Sequence, residues 1–485
     1  MKQDKRPIDH KLTNNVTFLK NYLGVEKSFD LIYLDLNYAG KDMAMFMVDG
    51  FAKDDISLYI MQTLAELKEH ELDEDTLTKL LKRYIPYIEI EPIDNIYQAA
   101  DFVLAGATAL FVDGVDKAII IDSRTYPARS PEEPDLERVV RGPRDGFVET
   151  LVFNTALTRR RVRDRSLRME YLQVGRRSKT DVVISNIEDI ADNKHIDKIK
   201  SILERIDTDG LPMAEKTIEE FLSDRYWNPY PSVRYTERPD TAAAHLYDGH
   251  ILLIIDGSPS VMITATTFWN HLQHAEEYRQ KPTVGAYLRM VRFFAILFSM
   301  ILLPLYYLMS SQPELLPAAL EFIGPDDPGV IPLLLQFLIA EIGLDMLRMA
   351  SIHTPSALGT ALGLVAAIMI GDVSVQVGWF TNEVVLYIAT AAIGSYATPS
   401  YELSMANRIV RIILLLATAS FGVIGYVLGI TCWLLYITKM NTFKIPYFWP
   451  FIPFSPKALR DVIIRVPVPI KHRRPEILDP KDPDR

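Results

Sequence analysis

The distribution of charge constrains this chain more than any other feature of its sequence. Residues 291–438 contain long runs almost free of Asp, Glu, Lys and Arg, whereas residues 1–290 hold most of the charge. Whole-chain averages conceal the division: 49% apolar residues and a formal charge of −10 are ordinary for a soluble protein. A helix needs about 20 apolar residues to cross a ~30 Å hydrocarbon core. Residues 291–309 (VRFFAILFSMILLPLYYLM) meet that requirement with one arginine at the edge, and Arg289 and Arg292 flank the start. The runs 357–371 and 384–399 are uncharged and rich in Gly, Ala and Ser, which let membrane helices approach closely. The longest run, 412–437, exceeds one bilayer thickness at about 1.5 Å per residue.

Flanking charge sets the orientation. The loop 310–328 has Glu314, Glu321, Asp326 and Asp327 and no Lys or Arg, so the positive-inside rule puts it outside and residues before 291 in the cytoplasm. After Thr438 the chain is basic and proline-rich (Lys439, Lys444, Lys457, Arg460, Arg465, Lys471, Arg473, Arg474), which places that tail inside as well. Two inside ends require an even number of crossings, yet five hydrophobic segments can be counted once 329–350 is included. That segment is the favoured exception, because it carries Glu341, Asp345 and Arg348. At i, i+4 and i+7 these three form one narrow stripe on a helix, and Asp345 and Arg348 are within reach of each other. The stripe fits a self-satisfied helix packed between neighbours, or one facing a pore or a subunit interface together with Asp372, Glu383 and Glu402. The aromatic PYFWPFIPF (446–454) reads as an interfacial turn, or else as a loop packed onto the soluble region.

Two α/β units are expected before residue 290. In the first, 29–36 and 43–50 are strands, several helical patterns follow, and 108–122 is a hairpin turning at Asp113-Gly114. In the second, 145–164 is helical, RMEYLQVGR and KTDVVISNI are strands, and 250–264 is a hairpin at Asp256-Gly257. The matching hairpins suggest an internal duplication. The resulting fold class is an α/β cytoplasmic region of two units followed by an α-helical polytopic membrane domain. Its divisions are a tail (1–28), unit one (29–124), a linker (125–144), unit two (145–285), a membrane domain with four to five hydrophobic segments (286–438) and a basic, proline-rich cytoplasmic tail (439–485). The N-terminal MKQDKRPIDHKLTNN lacks the apolar core of a secretory signal.

No catalytic or cofactor motif stands out. GxSxG, P-loop and GxGxxG patterns are absent, and the one cysteine, Cys432, lies in an apolar run. His271 and His274 in HLQHAEEY lack a metal-site arrangement. Residues 138–179 hold twelve Lys or Arg against four Asp or Glu, centred on Arg159, Arg160, Arg161, Arg163, Arg165 and Arg168. Without base-stacking aromatics, this points away from nucleic acid and toward anionic lipid or an acidic neighbouring subunit, or toward a solvated face with salt bridges.

Several long blocks resemble the GerA family of spore germination proteins, A-subunit type. They are DGFVETLVFNTALTRRRVRD, VGRRSKTDVVISNIEDIA, TERPD, LYDGHILLIIDGSP and TFWNHLQHAEEY, followed by GLVAAIMIGDVSVQVG and IGSYATPSYELSMANRIVR, in family order. The resemblance spans about residues 30–470 and is nearest to the SpoVAF-type branch. One departure is Ala265, where a proline commonly precedes the Thr-Phe pair. The resemblance implies a non-enzymatic protein of the spore inner membrane with no cofactor and a role in germination. It also implies assembly into an ion-conducting homo-oligomer, other germination proteins of that membrane as partners, and contact with membrane lipids and permeant ions. The alternative is a signal-transducing scaffold without its own conductance.

Overall fold

The first sheet starts as a hairpin, β1 (Leu31–Tyr38) with β2 (Lys41–Val48), and is completed by β3 (Ile90–Ile93), β4 (Thr108–Val112) and β5 (Ala118–Ile121), in the antiparallel order β1-β2-β4-β5-β3. These positions come from a computed structural model that describes residues 5–51, 54–85, 87–124, 137–223, 225–315, 329–353, 363 and 368–485. β2 alternates faces: Ala44, Phe46 and Val48 join a core with α1 (Leu12–Leu23) and α4 (Ile96–Leu104). Met43, Met45 and Met47 join another core, beside α2 (Asp54–Ala65) and α3 (Thr76–Lys79). The segment expected as an N-terminal tail therefore contains α1, whose Leu12, Leu19 and Leu23 are buried at helical spacing.

The second sheet repeats the plan. α5 (Leu151–Arg161) leads into β6 (Leu167–Val174) and β7 (Thr180–Ile187). After α6 (Asn193–Glu204) and α7 (Ala214–Leu222) come β8 (Arg234–Thr236), α8 (Pro239–Asp248), β9 (Ile251–Ile255) and β10 (Val261–Thr264). Its order, β6-β7-β9-β10-β8, is the first order transposed. The hydrogen bonds repeat too. Asp113 accepts from Leu12 N–H at 3.0 Å, and Asp256 accepts from Leu151 N–H at 3.0 Å. Asn15 donates to the Asp9 carbonyl and accepts from Asp9 N–H, as Asn154 does with Val148. The hairpin aspartates thus anchor the first turn of each repeat's leading helix, where N–H groups lack intrahelical partners. A shared strand order with matching side-chain bonds is the mark of an internal duplication.

Both repeats belong to one compact unit, with residues 468–485 docked on it: Lys471 and Arg485 pair with Asp248, and Arg474 donates to the Tyr247 carbonyl. The end of the sequence is therefore not a free tail. Of the expected linker, 125–136 lies outside the described residues, and Glu137 is buried against Arg234 and Thr236.

The other compact unit comprises 227–231 and 267–467 and is largely helical. After α9 (Ala275–Arg279) come α10 (Pro282–Ser311), α11 (Leu333–His353), α12 (Asn382–Tyr396) and α13 (Tyr401–Thr438). Much of the apolar run 357–371 and the loop 316–328 lie outside the described residues. Two of these helices, α10 and α13, are long and apolar enough to cross a membrane.

α13 is not one straight rod. Gly422 has φ 57° and ψ −135°, which no helix contains. Leu414 lies close enough to Gly429 that a β-carbon there would come within 2.6 Å of its Cδ2. Ile437 shares a core with Leu403 and Ala406. A straight helix would hold that last set more than about 40 Å apart. The chain therefore reverses at Gly422 into two antiparallel legs, α13a (401–421) and α13b (423–438), of roughly 31 and 24 Å. The long run read at 412–437 is the upper part of one leg plus the whole of the other.

The remaining helices align on α10. Tyr306 near its end meets Phe337 and Tyr387, while Ala295, earlier in the helix, abuts Gly394. α11 and α12 thus both run antiparallel to α10, and α13a runs parallel to it, from Leu403 beside Ile296 to Gly422 beside Gln312. The aromatic segment after α13b divides. Tyr447, Phe448 and Phe451 pack on Phe268 and Trp269, whereas Ile452 and Phe454 stay exposed. β11 (Asn441–Thr442) with β12 (Ile445–Pro446), then α14 (Pro456–Ile463), complete this end of the unit.

Candidate functional site

Halfway along α10, four helices converge on one carboxylate. Glu341 of α11 is 2% exposed. Arg408 Nε donates to its Oε2 at 3.0 Å, and Arg411 Nη2 donates to the same oxygen at 2.9 Å. Oε1 lies 2.8 Å from that Nη2 but off the hydrogen-bonding direction. Arg411 Nη1 continues to the Ser299 carbonyl of α10 at 2.6 Å and to Ser395 Oγ of α12 at 3.3 Å. Arg408 also pairs with Asp345, one turn from Glu341. Asp345 thus takes its partner from α13a, and the Arg348 guanidinium lies over Tyr396 (5.3 Å) and Tyr401 (5.9 Å).

The expected stripe on α11 exists and faces the bundle. Its opposite side carries Leu335, Ile339, Ile342, Met346 and Met349, all exposed. The other acidic candidates are spread along the unit. Glu383 lies in the first turn of α12 near Tyr306, and Glu402 begins α13a, where it accepts from Ser400. Asp372 is exposed in a π-turn, Met369–Val373. Sequence reading missed Arg408 and Arg411. Their i, i+3 spacing on the motif MANRIVR is visible in the sequence, but they precede the apolar run 412–437 and so fall outside the segments read for intramembrane charge.

A second ionic centre lies at the foot of α10. Glu277 is fully buried and pairs with Arg289 (2.7 Å) and Arg292, while Arg289 Nη1 donates to the carbonyls of Asp461 and Val462, both at 2.9 Å. Nearby, Tyr230 bridges the two legs of the reversal. Its hydroxyl donates to Asn407 Oδ1 (3.2 Å) and accepts from Trp433 Nε1 (2.6 Å).

The basic cluster expected as a contact surface is partly interior, which corrects that reading. Arg159 is fully buried and clasps Asp30 (2.8 and 3.1 Å) and the Leu167 carbonyl, joining the two sheet repeats. Arg168 is buried against the Leu23 carbonyl and Glu188, and Arg161 pairs with Asp145. A buried guanidinium must be paired, so Arg159 and Arg168 serve repeat-to-repeat packing, while Arg161 is paired within the second repeat. Arg160, Arg163 and Arg165 are exposed, the last stacked over Tyr22 at 4.6 Å.

The histidines do not form a metal site. His271 is buried in a 3-10 turn, while His274 caps α9 by accepting from Glu276 N–H. Among the described residues, no group of three His, Cys, Asp or Glu could hold a metal ion.

Comparison with known proteins gives the family. The model of the Bacillus/Clostridium GerA spore germination protein family matches residues 17–477. Stage V sporulation protein AF of Bacillus subtilis (strain 168) is 44% identical over 481 residues, covering 99% of this chain and 98% of that protein. Spore germination protein A1 of the same organism is 30% identical, covering 85% of this chain and 86% of that one. The N-terminal domain of the A subunit of the Bacillus megaterium spore germinant receptor GerK3 aligns at 23% identity and a TM-score of 0.42, over 54% of this chain and 97% of that domain. The chain belongs to the GerA family of spore germination proteins, with a membrane-associated helical region at its C-terminal side.

Proposed function

We propose that this chain is a multi-pass protein of the spore inner membrane that forms, or contributes to, an oligomeric ion channel promoting ion release during germination. The observation that carries this reading is the cluster Glu341–Arg408–Arg411–Asp345, held midway along helices whose other charges, Arg348 apart, lie toward their ends. Ionised groups at bilayer depth are costly, and they occur where they pair, face a water-filled path, or switch between two arrangements. The exposed apolar side of α11 fits contact with lipid, so 329–350 is a crossing and not an exception. The reversal at Gly422 supplies the extra crossing. The described helices α10, α11, α12 and the two legs of α13 give five passes, and the sequence offers the apolar run 357–371 as the sixth that brings both ends to the cytoplasmic side.

The alternative, a signal-relaying scaffold without conductance, is favoured by Tyr230. It sits on a five-residue excursion, 227–231, that is covalently continuous at both ends with the sheet-bearing unit and bolts the two legs of α13 together. The deciding experiment is conductance of the full chain in liposomes, alone and with other germination proteins of the same membrane. Current that changes with Asp345→Asn supports the channel. No current in any combination, with germination slowed by Tyr230→Phe, rejects the channel in favour of the scaffold.

A further inference from the structure

The segment after α13b leaves an apolar tip uncovered. Ile452 and Phe454 are 51% and 68% exposed, although Phe448 and Phe451 next to them pack inward on Trp269. Two features fix the depth of this tip. Met440 and Tyr447, which bracket its approach, share a core with Ile296, little more than one turn past the start of the apolar run of α10 at Val291. In addition, Arg289 holds the end of α14 through the Asp461 and Val462 carbonyls. Beside Arg289, the α10 surface shows Tyr287 and Met290, 67% and 47% exposed. The tip therefore lies level with the end of the apolar surface of α10 and continues it. Lys444 and Lys457 are exposed near it, and α14 turns a polar side carrying Lys457 and Arg460 away from its buried Val462.

An exposed Ile-Pro-Phe tip, flanked by ammonium groups and placed at the foot of membrane-crossing helices, has the chemistry of an interfacial anchor. We infer that residues 452–460 dock on the anionic surface of the bilayer, with Ile452 and Phe454 entering the acyl boundary and Lys444 and Lys457 meeting headgroup phosphates. This inference rests on the membrane reading above, and goes beyond it by assigning a lipid-binding surface outside the helices.

The test uses the full chain in lipid nanodiscs, in a Cys432→Ser background. Phe454→Cys carries an environment-sensitive fluorophore, and quenching by lipids spin-labelled near the headgroup is measured with and without phosphatidylglycerol. Phe294→Cys on α10 and Met213→Cys on the sheet-bearing unit are the references. The expected result is quenching at 454 that rises with anionic lipid, with Lys457→Gln shifting the docked-to-free ratio about fivefold toward free. A 454 label that stays as unquenched as 213 while 294 is quenched overturns the inference. So does a label that is shielded from water, unquenched by lipid and able to cross-link to a second copy, which makes the tip a contact between chains. An unquenched 294 overturns the membrane reading itself.

Discussion

Two of the buried ionic centres, one in each unit, are wired differently. In the sheet-bearing unit, Arg159 meets one carboxylate, Asp30, and its other donors go to the Asp164 and Leu167 carbonyls and Ser28 Oγ. In the helical unit, Glu341 is divided between Arg408 and Arg411, and Arg408 is divided again between Glu341 and Asp345. The first is a closed pair that joins the two sheet repeats. The second is an open network whose members reach four helices, so no single partner can be exchanged without stranding another charge. A pair of the first kind stabilises one arrangement, whereas a shared carboxylate can be redistributed among its arginines.

The largest effects should come from breaking each centre. Glu341→Gln and Arg159→Met are each expected to cost about 3–5 kcal/mol, read as a lower unfolding midpoint of the purified chain in detergent. The comparison sharpens with second substitutions. Adding Asp30→Leu to Arg159→Met should recover most of the loss, because both charges are then gone. Adding Arg411→Met to Glu341→Gln should not, because Arg408 and Asp345 remain coupled to the altered site. Equal recovery in both double variants would refute the difference in wiring.

Acid should act on the sheet-bearing unit. His245 and His250 are buried with ring centroids 5.0 Å apart, and their Nδ1–H groups donate to the Thr241 and Thr264 carbonyls. Burial, then Arg234 and His250, pushes His245 well below its ordinary range. Burial pushes His250 down to about 4 against the favouring Thr264 carbonyl. Both are neutral when folded and protonate more readily when unfolded. Their stabilisation is present above about pH 6.5 and is lost as pH falls toward 4, by about 3 kcal/mol for His250. Thermal melts between pH 7 and 4.5 should show this slope, and His250→Gln should flatten it.

Smaller changes test the duplication. Asp113→Ala and Asp256→Ala each remove a carboxylate bond to a leading helix and should cost a similar amount, about 1.5–3 kcal/mol in chemical denaturation. A large inequality would show that the repeats share shape but not energetics. The smallest effect is expected at Ala265, which has φ +62°, a region no proline can enter. Ala265→Gly should raise stability by about 1 kcal/mol, since glycine relieves the left-handed strain.

Much of this was legible in the sequence. Charge distribution separated the two halves, and the Asp-Gly turns located both hairpins. β3 and β8 escaped because strands of three or four residues, one containing Pro92, show no alternation to read. α1 escaped because its buried face is only Leu12, Asn15, Leu19 and Leu23 within a polar stretch. Arg159 was visible, but burial depends on Asp30, 129 residues away in the chain, and a basic run looks the same whether solvated or enclosed. The reversal at Gly422 was hidden because hydropathy records how apolar a segment is and not its direction; FGVIG is as apolar as the legs it joins.

That reversal also bears on how the chain enters a membrane. Two apolar legs joined by one residue can be inserted together as a closed hairpin, each covering the other. Under the membrane reading proposed above, the Lys- and Arg-rich stretch that follows, including Lys439, Lys444 and Lys457, then never has to be carried across the hydrocarbon layer. One left-handed glycine would thereby decide in which compartment the last tenth of the protein is made to reside.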